Sequence, residues 1–232
     1  STFASNSPGG LINLISKTGE VEGGAAQFTK GLDYGENRFD MDYGAKLSDS
    51  LRFHVGGFYR WGEGPRDIGF TGYRGGQIKL NITKEFEGGY IRFYGKYMDD
   101  ITPAYDITAL GVSGTNDKPV YKNIANYDAR HDSLFSRNYQ SQLTLDGNNQ
   151  IVNDDVTAGQ HPIVKSVGVE SKFEVAGFDI TERFRYADMS NHTMGIYYAQ
   201  FMPAAVMTAA FGAPGGTLRY ASGPNAGATI TN

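Results

Sequence analysis

Four histidines, His54, His131, His161 and His192, are the residues of this chain best suited to metal binding or proton transfer. Metal-ligating histidines on one helix or loop recur at short fixed spacings. None of the four stands at such a spacing from another, so no metal centre is expected. His54 falls on the polar side of an alternating pattern, where a hydrogen-bonded imidazole is the simpler reading. Asp99-Asp100 and Asn153-Asp154-Asp155 crowd carboxylates as calcium loops do. Neither run carries the turn glycine and distal glutamate of an EF-hand, and both read as solvated loop residues. No G-x-S-x-G, P-loop or H-E-x-x-H pattern occurs. The Gly-Pro and Gly-Gly clusters between Gly212 and Gly223 are loop punctuation, not a phosphate cradle. The residues point away from an enzyme, and no cofactor is expected.

What remains is a set of charges at regular spacing. Arg38, Asp40, Asp42, Lys46, Arg52, His54, Arg92, Lys96, Arg183 and Arg185 each alternate with apolar neighbours. Successive side chains of a strand point to opposite faces, so alternation places these charges on one side of a sheet. Two roles are open to them: to solvate that face and pair with whatever lies on it, or to hold an anionic or hydroxylated ligand.

The elements that position them are strands. Phe39, Met41, Tyr43, Ala45 and Leu47 oppose the charges of the second strand. Ser48-Asp49-Ser50 turns the chain into Leu51, Phe53, Val55 and Tyr59. The same period gives strands near 25–34, 37–47, 51–60, 73–84, 89–99, 166–175 and 178–188. Lys30 and Glu182 break phase by falling on the apolar side. Residues 99–165 hold Pro103, Pro119 and Pro162 and no sustained period, so they read as one long irregular loop. Residues 190–232, rich in Ala, Gly and Met, read as a truncated loop. In the long loop Tyr105, Tyr121, Tyr127, Phe135 and Tyr139 are candidates to stack on a ligand, with packing among themselves as the alternative.

Composition agrees with a β-rich chain. Of 232 residues, 31 are Gly and 15 Tyr, a usage that suits strands with narrow apolar stripes. Cysteine is absent, which excludes disulfides and thiolate metal sites. The net charge of -4 implies no bulk attraction to nucleic acid. No apolar run is long enough for a transmembrane helix. The chain starts in mid-pattern at Ser1, which reads as a piece of a longer polypeptide.

Connections after the second, fourth and sixth strands are short, and those after the third and fifth are long. That asymmetry matches a transmembrane β-barrel with short periplasmic turns and long extracellular loops. Strands of nine to eleven residues suit a tilted membrane crossing. The short connection after the first strand is the exception. The expected fold is therefore all-β, an antiparallel transmembrane β-barrel segment of about seven strands, with the apolar stripe on lipid and the charges in the lumen. Phe93 then faces lipid and Arg92 the lumen, so arginine at Phe93 should impair assembly while alanine at Arg92 should be tolerated. Two alternatives are a passive porin-like or structural barrel and a soluble β-rich binding module.

Gly9-Gly10-Leu11-Ile12-Asn13-Leu14-Ile15-Ser16-Lys17 resembles the segment that closes the plug domain of TonB-dependent outer-membrane receptors, G-G-x-I-N-I-x-[ST]-K. Gly9, Gly10, Ile12, Asn13 and Lys17 carry the resemblance, and Leu14 departs from the commoner Ile or Val. The resemblance implies a plug end at 1–19 and the first part of a barrel at 20–232, about a third of a 22-stranded plugged barrel. It implies a receptor in the outer membrane of a Gram-negative bacterium that imports a scarce bulky solute, such as an iron-siderophore. Its partners would be the TonB energy-transducing complex, engaged upstream of Ser1, and outer-membrane lipid.

Overall fold

The alternating side chains settle into long antiparallel strands in the computed structural model, which describes residues 14–105, 108–196, 202–220 and 224–230. The strands are β1 (Gly23–Lys30), β2 (Gly35–Ser48), β3 (Leu51–Gly64), β4 (Tyr73–Phe86), β5 (Gly89–Ile101), β6 (Gly111–Thr115), β7 (Lys118–Lys122), β8 (Ser141–Leu145), β9 (Ile151–Asp155), β10 (Gln160–Val175) and β11 (Phe178–Thr193). A 3-10 turn, Val156–Ala158, precedes β10, and a helix α1, Ala204–Ala210, follows β11. Seven strands form one sheet in the order β1-β2-β3-β4-β5-β10-β11, every pair antiparallel. The fold is all-β. The sheet is open, with β1 and β11 at its edges.

Strand ends differ from the expected ones. β1 stops at Lys30, so Leu32 and Tyr34 belong to the connection, where Gly31 N–H donates to the Glu36 carbonyl at 2.8 Å. Lys30, the first residue out of phase, sits at the strand end and donates from Nζ to Asn37 Oδ1 at 3.1 Å. β3 runs to Gly64, β10 starts at Gln160 and β11 continues to Thr193.

The segment 99–165 is not irregular. It holds the hairpins β6–β7 and β8–β9, and Thr102 bridges to Gln160 where the loop leaves and rejoins the sheet. Strands of five residues alternate too briefly to show a period. One turn signal was present: Asp146 Oδ1 accepts from the N–H groups of Asn148 at 2.8 Å and Gln150 at 2.9 Å, capping the β8–β9 connection.

Connections at one end of the sheet are two residues each: 49–50, 87–88 and 176–177. Ala176 (φ 52°) and Gly177 (φ 82°) both lie in the left-handed region, the backbone of a type I′ hairpin turn. The longer connections, 65–72 and 102–159, share the opposite end with the short 31–34 link.

Apolar packing concentrates at that opposite end. Ile68, Ala104, Phe135, Val156 and Met194 bury one another, and Phe70, Tyr105 and Ile196 pack around them. The rings of Phe70 and Tyr105 approach Phe135 at 5.4 Å and 6.2 Å, the latter edge-on. Arg66 donates to the carbonyls of Ala129 (2.9 Å) and Asp132 (2.7 Å) and to Thr108 Oγ1 (3.0 Å), joining separate parts of the connections. Residues 65–72, 102–105, 128–140, 156 and 194–196 thus meet in a small folded cap.

The two faces of the sheet are buried in the reverse of the usual order. On the charged face Thr83 is 0%, Arg52 6% and Asn81 7% exposed. On the apolar face Phe93 is 55%, Val167 59% and Phe184 60% exposed. That apolar band also runs obliquely. In β3 it spans Leu51 to Trp61. In β11 it spans Phe178 to Tyr186, interrupted by Glu182, with Asp188 at the next outward position. Tyr186 lies level with Val55 through Val167, Gly95 and Leu80.

Candidate ligand face and the segment that crosses it

Residues 14–20 lie against the charged face, and glycines bring them there. A Cβ on Gly19 (φ +79°) would stand 2.0 Å from the Phe53 carbonyl oxygen. A Cβ on Gly44 would stand 2.9 Å from Gly19 Cα. Only glycine at both positions lets the two backbones meet. Around this contact Lys17 Nζ pairs with Asp42 Oδ2 at 2.8 Å, and Asn81 Nδ2 donates to the Lys17 carbonyl at 2.9 Å. Arg52 Nη2 reaches Glu20 Oε1 at 3.4 Å and Nη1 pairs with Glu85. Gly19→Val should release the segment, since positive φ at a branched residue alone stores about 1–3 kcal/mol. Faster proteolysis between residues 14 and 20, with the sheet intact by circular dichroism, is the expected readout.

The expected charged residues share one face and divide into three groups. At the end away from the two-residue turns, Arg38 forks onto Asp40 at 2.8 and 2.7 Å and stacks on the Phe58 ring at 4.0 Å. Beside it Arg60 forks onto Asp100 at 3.0 and 2.6 Å, with its guanidinium 4.5 Å from the Tyr73 ring. In the second group Asp42 takes both Lys17 and His54, whose Nε2 lies 3.2 Å away. His54 is a hydrogen-bonded side chain of this face, and Arg52 lies beside it, largely buried.

The third group centres on Glu170. It accepts from Tyr90 Oη at 2.7 Å, Arg92 Nη1 at 3.0 Å and Arg183 Nε at 3.0 Å. Arg92 Nε also donates to Thr83 Oγ1 at 2.9 Å. Lys96 and Arg185 occupy the same region and form no ion pair among the described residues, nor does Lys46. Sequence reasoning did not single out Glu170, Lys79, Arg60 or Glu20 as site residues, and it read Asp99-Asp100 as solvated loop. Both aspartates lie in β5, and Asp100 is buried against Arg60. Glu170, Lys79, Arg60 and Asp100 lie in phase with the charged face; Glu20 precedes β1 and offered no periodic signal.

Gly9, Gly10, Ile12 and Asn13 lie outside the described residues, and of the five residues that carry the resemblance Lys17 alone is placed. The aromatic candidates of the long loop scatter. Phe135, 1% exposed, fills the cap core and has no surface for a ligand; self-packing took it. Tyr105 packs beside it, donates toward the Glu63 carbonyl at 3.4 Å, and burial pushes its phenol well above the usual range. Tyr127 donates to the Asp132 carbonyl at 3.3 Å. Tyr121 on β7 and Tyr139 are exposed.

His131 Nδ1 lies 2.8 Å from Asp128 Oδ2 in the cap, fully at the surface. Asp128, through its hydrogen bond and its charge, raises the His131 pKa. The N–H of Arg130 and then His131 hold Asp128 below the usual carboxylate range. The raised imidazole contributes stability fully present below its unfolded pKa and lost as pH rises through the folded one. The depressed carboxyl contributes stability lost only as pH falls through its own folded value. Asp128→Asn should bring the His131 pKa down toward 6.5, followed by its ring proton resonances against pH.

Among the described residues no group of three or more His, Asp or Glu could hold a metal ion. No known family model, curated protein or solved structure matches the chain.

Proposed function

We propose that this chain is part of a TonB-dependent outer-membrane receptor, importing a scarce bulky solute such as an iron-siderophore. The observation that carries the reading is the reversed burial of the sheet. A broad apolar face open to the surroundings is what lipid covers, while water would drive that face inward.

The oblique band supports the same reading. From β3 to β11 its upper edge drops by three outward positions and its lower edge by two, about five residues over four strand steps. At ~3.3 Å per residue and ~4.8 Å between strands, that slope is roughly 40°, within the tilt of membrane barrel strands. The apolar faces of such strands stay level with the bilayer only if the band slips in this way. Open edges at β1 and β11 agree with a sheet continued by further strands, because unpaired backbone groups cannot remain in lipid. Residues 14–20 across the charged face are where the end of a plug would leave a barrel lumen.

On this reading the two-residue turns are periplasmic and the folded cap is extracellular, and the inner-membrane TonB complex supplies the energy. The test is uptake of labelled iron-siderophores by cells carrying the full-length protein, with and without TonB. Uptake that needs TonB is expected; uptake indifferent to it would leave a passive barrel.

A further inference from the structure

We propose that Lys79, Lys96 and Arg185 form a binding site for an oxyanion, a carboxylate or a phosphate. They line a cleft of about 940 Å³ between residues 14–18 and the charged face of β4, β5, β10 and β11. Lys79 stands directly opposite Lys96 across β4 and β5. Like charges in that position oppose strand pairing. Arg185 is on β11 opposite Gly168, one position along from the Ser166 that pairs with Lys96.

The cleft holds no answer to this charge of its own. Its lining has five cations, Lys79, Arg92, Lys96, Arg183 and Arg185, and one carboxylate, Glu170. Glu170 is fully engaged by Tyr90, Arg92 and Arg183. Three cations are therefore left without an ion pair among the described residues. Leu14, Ile15, Ser16 and Thr18, which form the opposite wall, bring no acid, and residues 1–13 contain no Asp or Glu. Among the described residues the opposite wall thus provides no counter-charge, which favours a bound anion. The volume suits a ligand of metabolite size. Tyr94, also on the wall, donates toward the Phe184 carbonyl at 3.3 Å and lies over Gly168, where a Cβ would stand 2.3 Å from its ring. The site deepens the import reading by giving the charge of what the cleft holds. Its test needs only purified protein, so the two can fail separately.

The full-length protein in detergent is treated with an amine-acetylating ester at constant ionic strength, and modification is read lysine by lysine by mass spectrometry. Citrate and inorganic phosphate are the probes, with sodium chloride as control and the exposed Lys118 and Lys122 as references. Lys79 and Lys96 should be protected at least threefold by a probe, with the references unchanged. Arg185→Gln should remove most of that protection; Lys79→Gln, read at Lys96, is the second variant. Protection of both lysines before any probe, released by concentrated salt, would overturn the proposal, because a carboxylate of the protein itself would then hold them. Lysines that react like the references with and without both probes overturn the proposal, as does protection that survives both substitutions.

Discussion

Phe135→Ala is expected to unfold the cap while leaving the seven-stranded sheet in place. Phe135 is the largest fully buried side chain of the chain's described part. It contacts the rings of Phe70 and Tyr105, brought from the 65–72 connection and from just beyond β5. Truncating a buried Phe to Ala costs about 3–5 kcal/mol through lost transfer energy and the cavity left behind. The cap's hydrophobic core has only five buried members among the described residues, Ile68, Ala104, Phe135, Val156 and Met194. A core that small has no reserve against such a loss. Amide exchange of residues 66–72, 104–105, 129–137 and 194 should rise together, because Arg66 and the Asp67 N–H bond to the His131 carbonyl (2.7 Å) tie the same segments. Exchange within β2 to β5 should stay slow. Global loss of the sheet instead would show that cap and sheet fold as one unit.

How much of this was legible beforehand depended on period length. Arg38–Arg60 repeats its alternation over two full strands, so its hairpin, its Ser48–Leu51 closure and its two faces could be read directly. Strands β6 to β9 offered too few repeats, and the segment containing them read as loop. Cap residues such as Ile68 and Met194 lie 126 positions apart, and nothing local marks them as partners. The same limit applied on the charged face. Alternation put Arg92 and Arg183 on one side but could not show that they share Glu170, which depends on the β5–β10–β11 register. Glycines were the quiet signal. Nothing in the alternation marks Gly19 and Gly44, yet the crossing segment requires both to lack a side chain. Glu182, out of phase in the sequence, remains so in the fold: it faces outward among Ile180 and Phe184 on the edge strand.

Phe93→Arg should reduce assembly into membranes sharply, and its sign separates the two surroundings the apolar face could have. Phe93 sits level with Phe53, Ile82, Val169 and Phe184, within the band rather than at its rim. If lipid covers that face, arginine near the midplane costs about 2–4 kcal/mol. If water covers it, a residue 55% exposed gains a charge at almost no cost, because exposed substitutions change stability by about 0.5 kcal/mol or less. Heat-modifiable mobility and recovery in the membrane fraction read the difference, with Phe93→Leu as the conservative control. Its neighbour Arg92 supplies the contrast, though not as alternation alone implied. Arg92 is largely enclosed and bonds both Glu170 and Thr83. Arg92→Ala would leave part of Glu170 unpaired and should cost about 1–2 kcal/mol, softened because Arg183 and Tyr90 remain on the same carboxylate. That penalty acts in either surrounding. A membrane defect confined to Phe93→Arg, with Arg92→Ala assembled but less heat-stable, is what lipid on the apolar face requires; the reverse ranking would place that face in water.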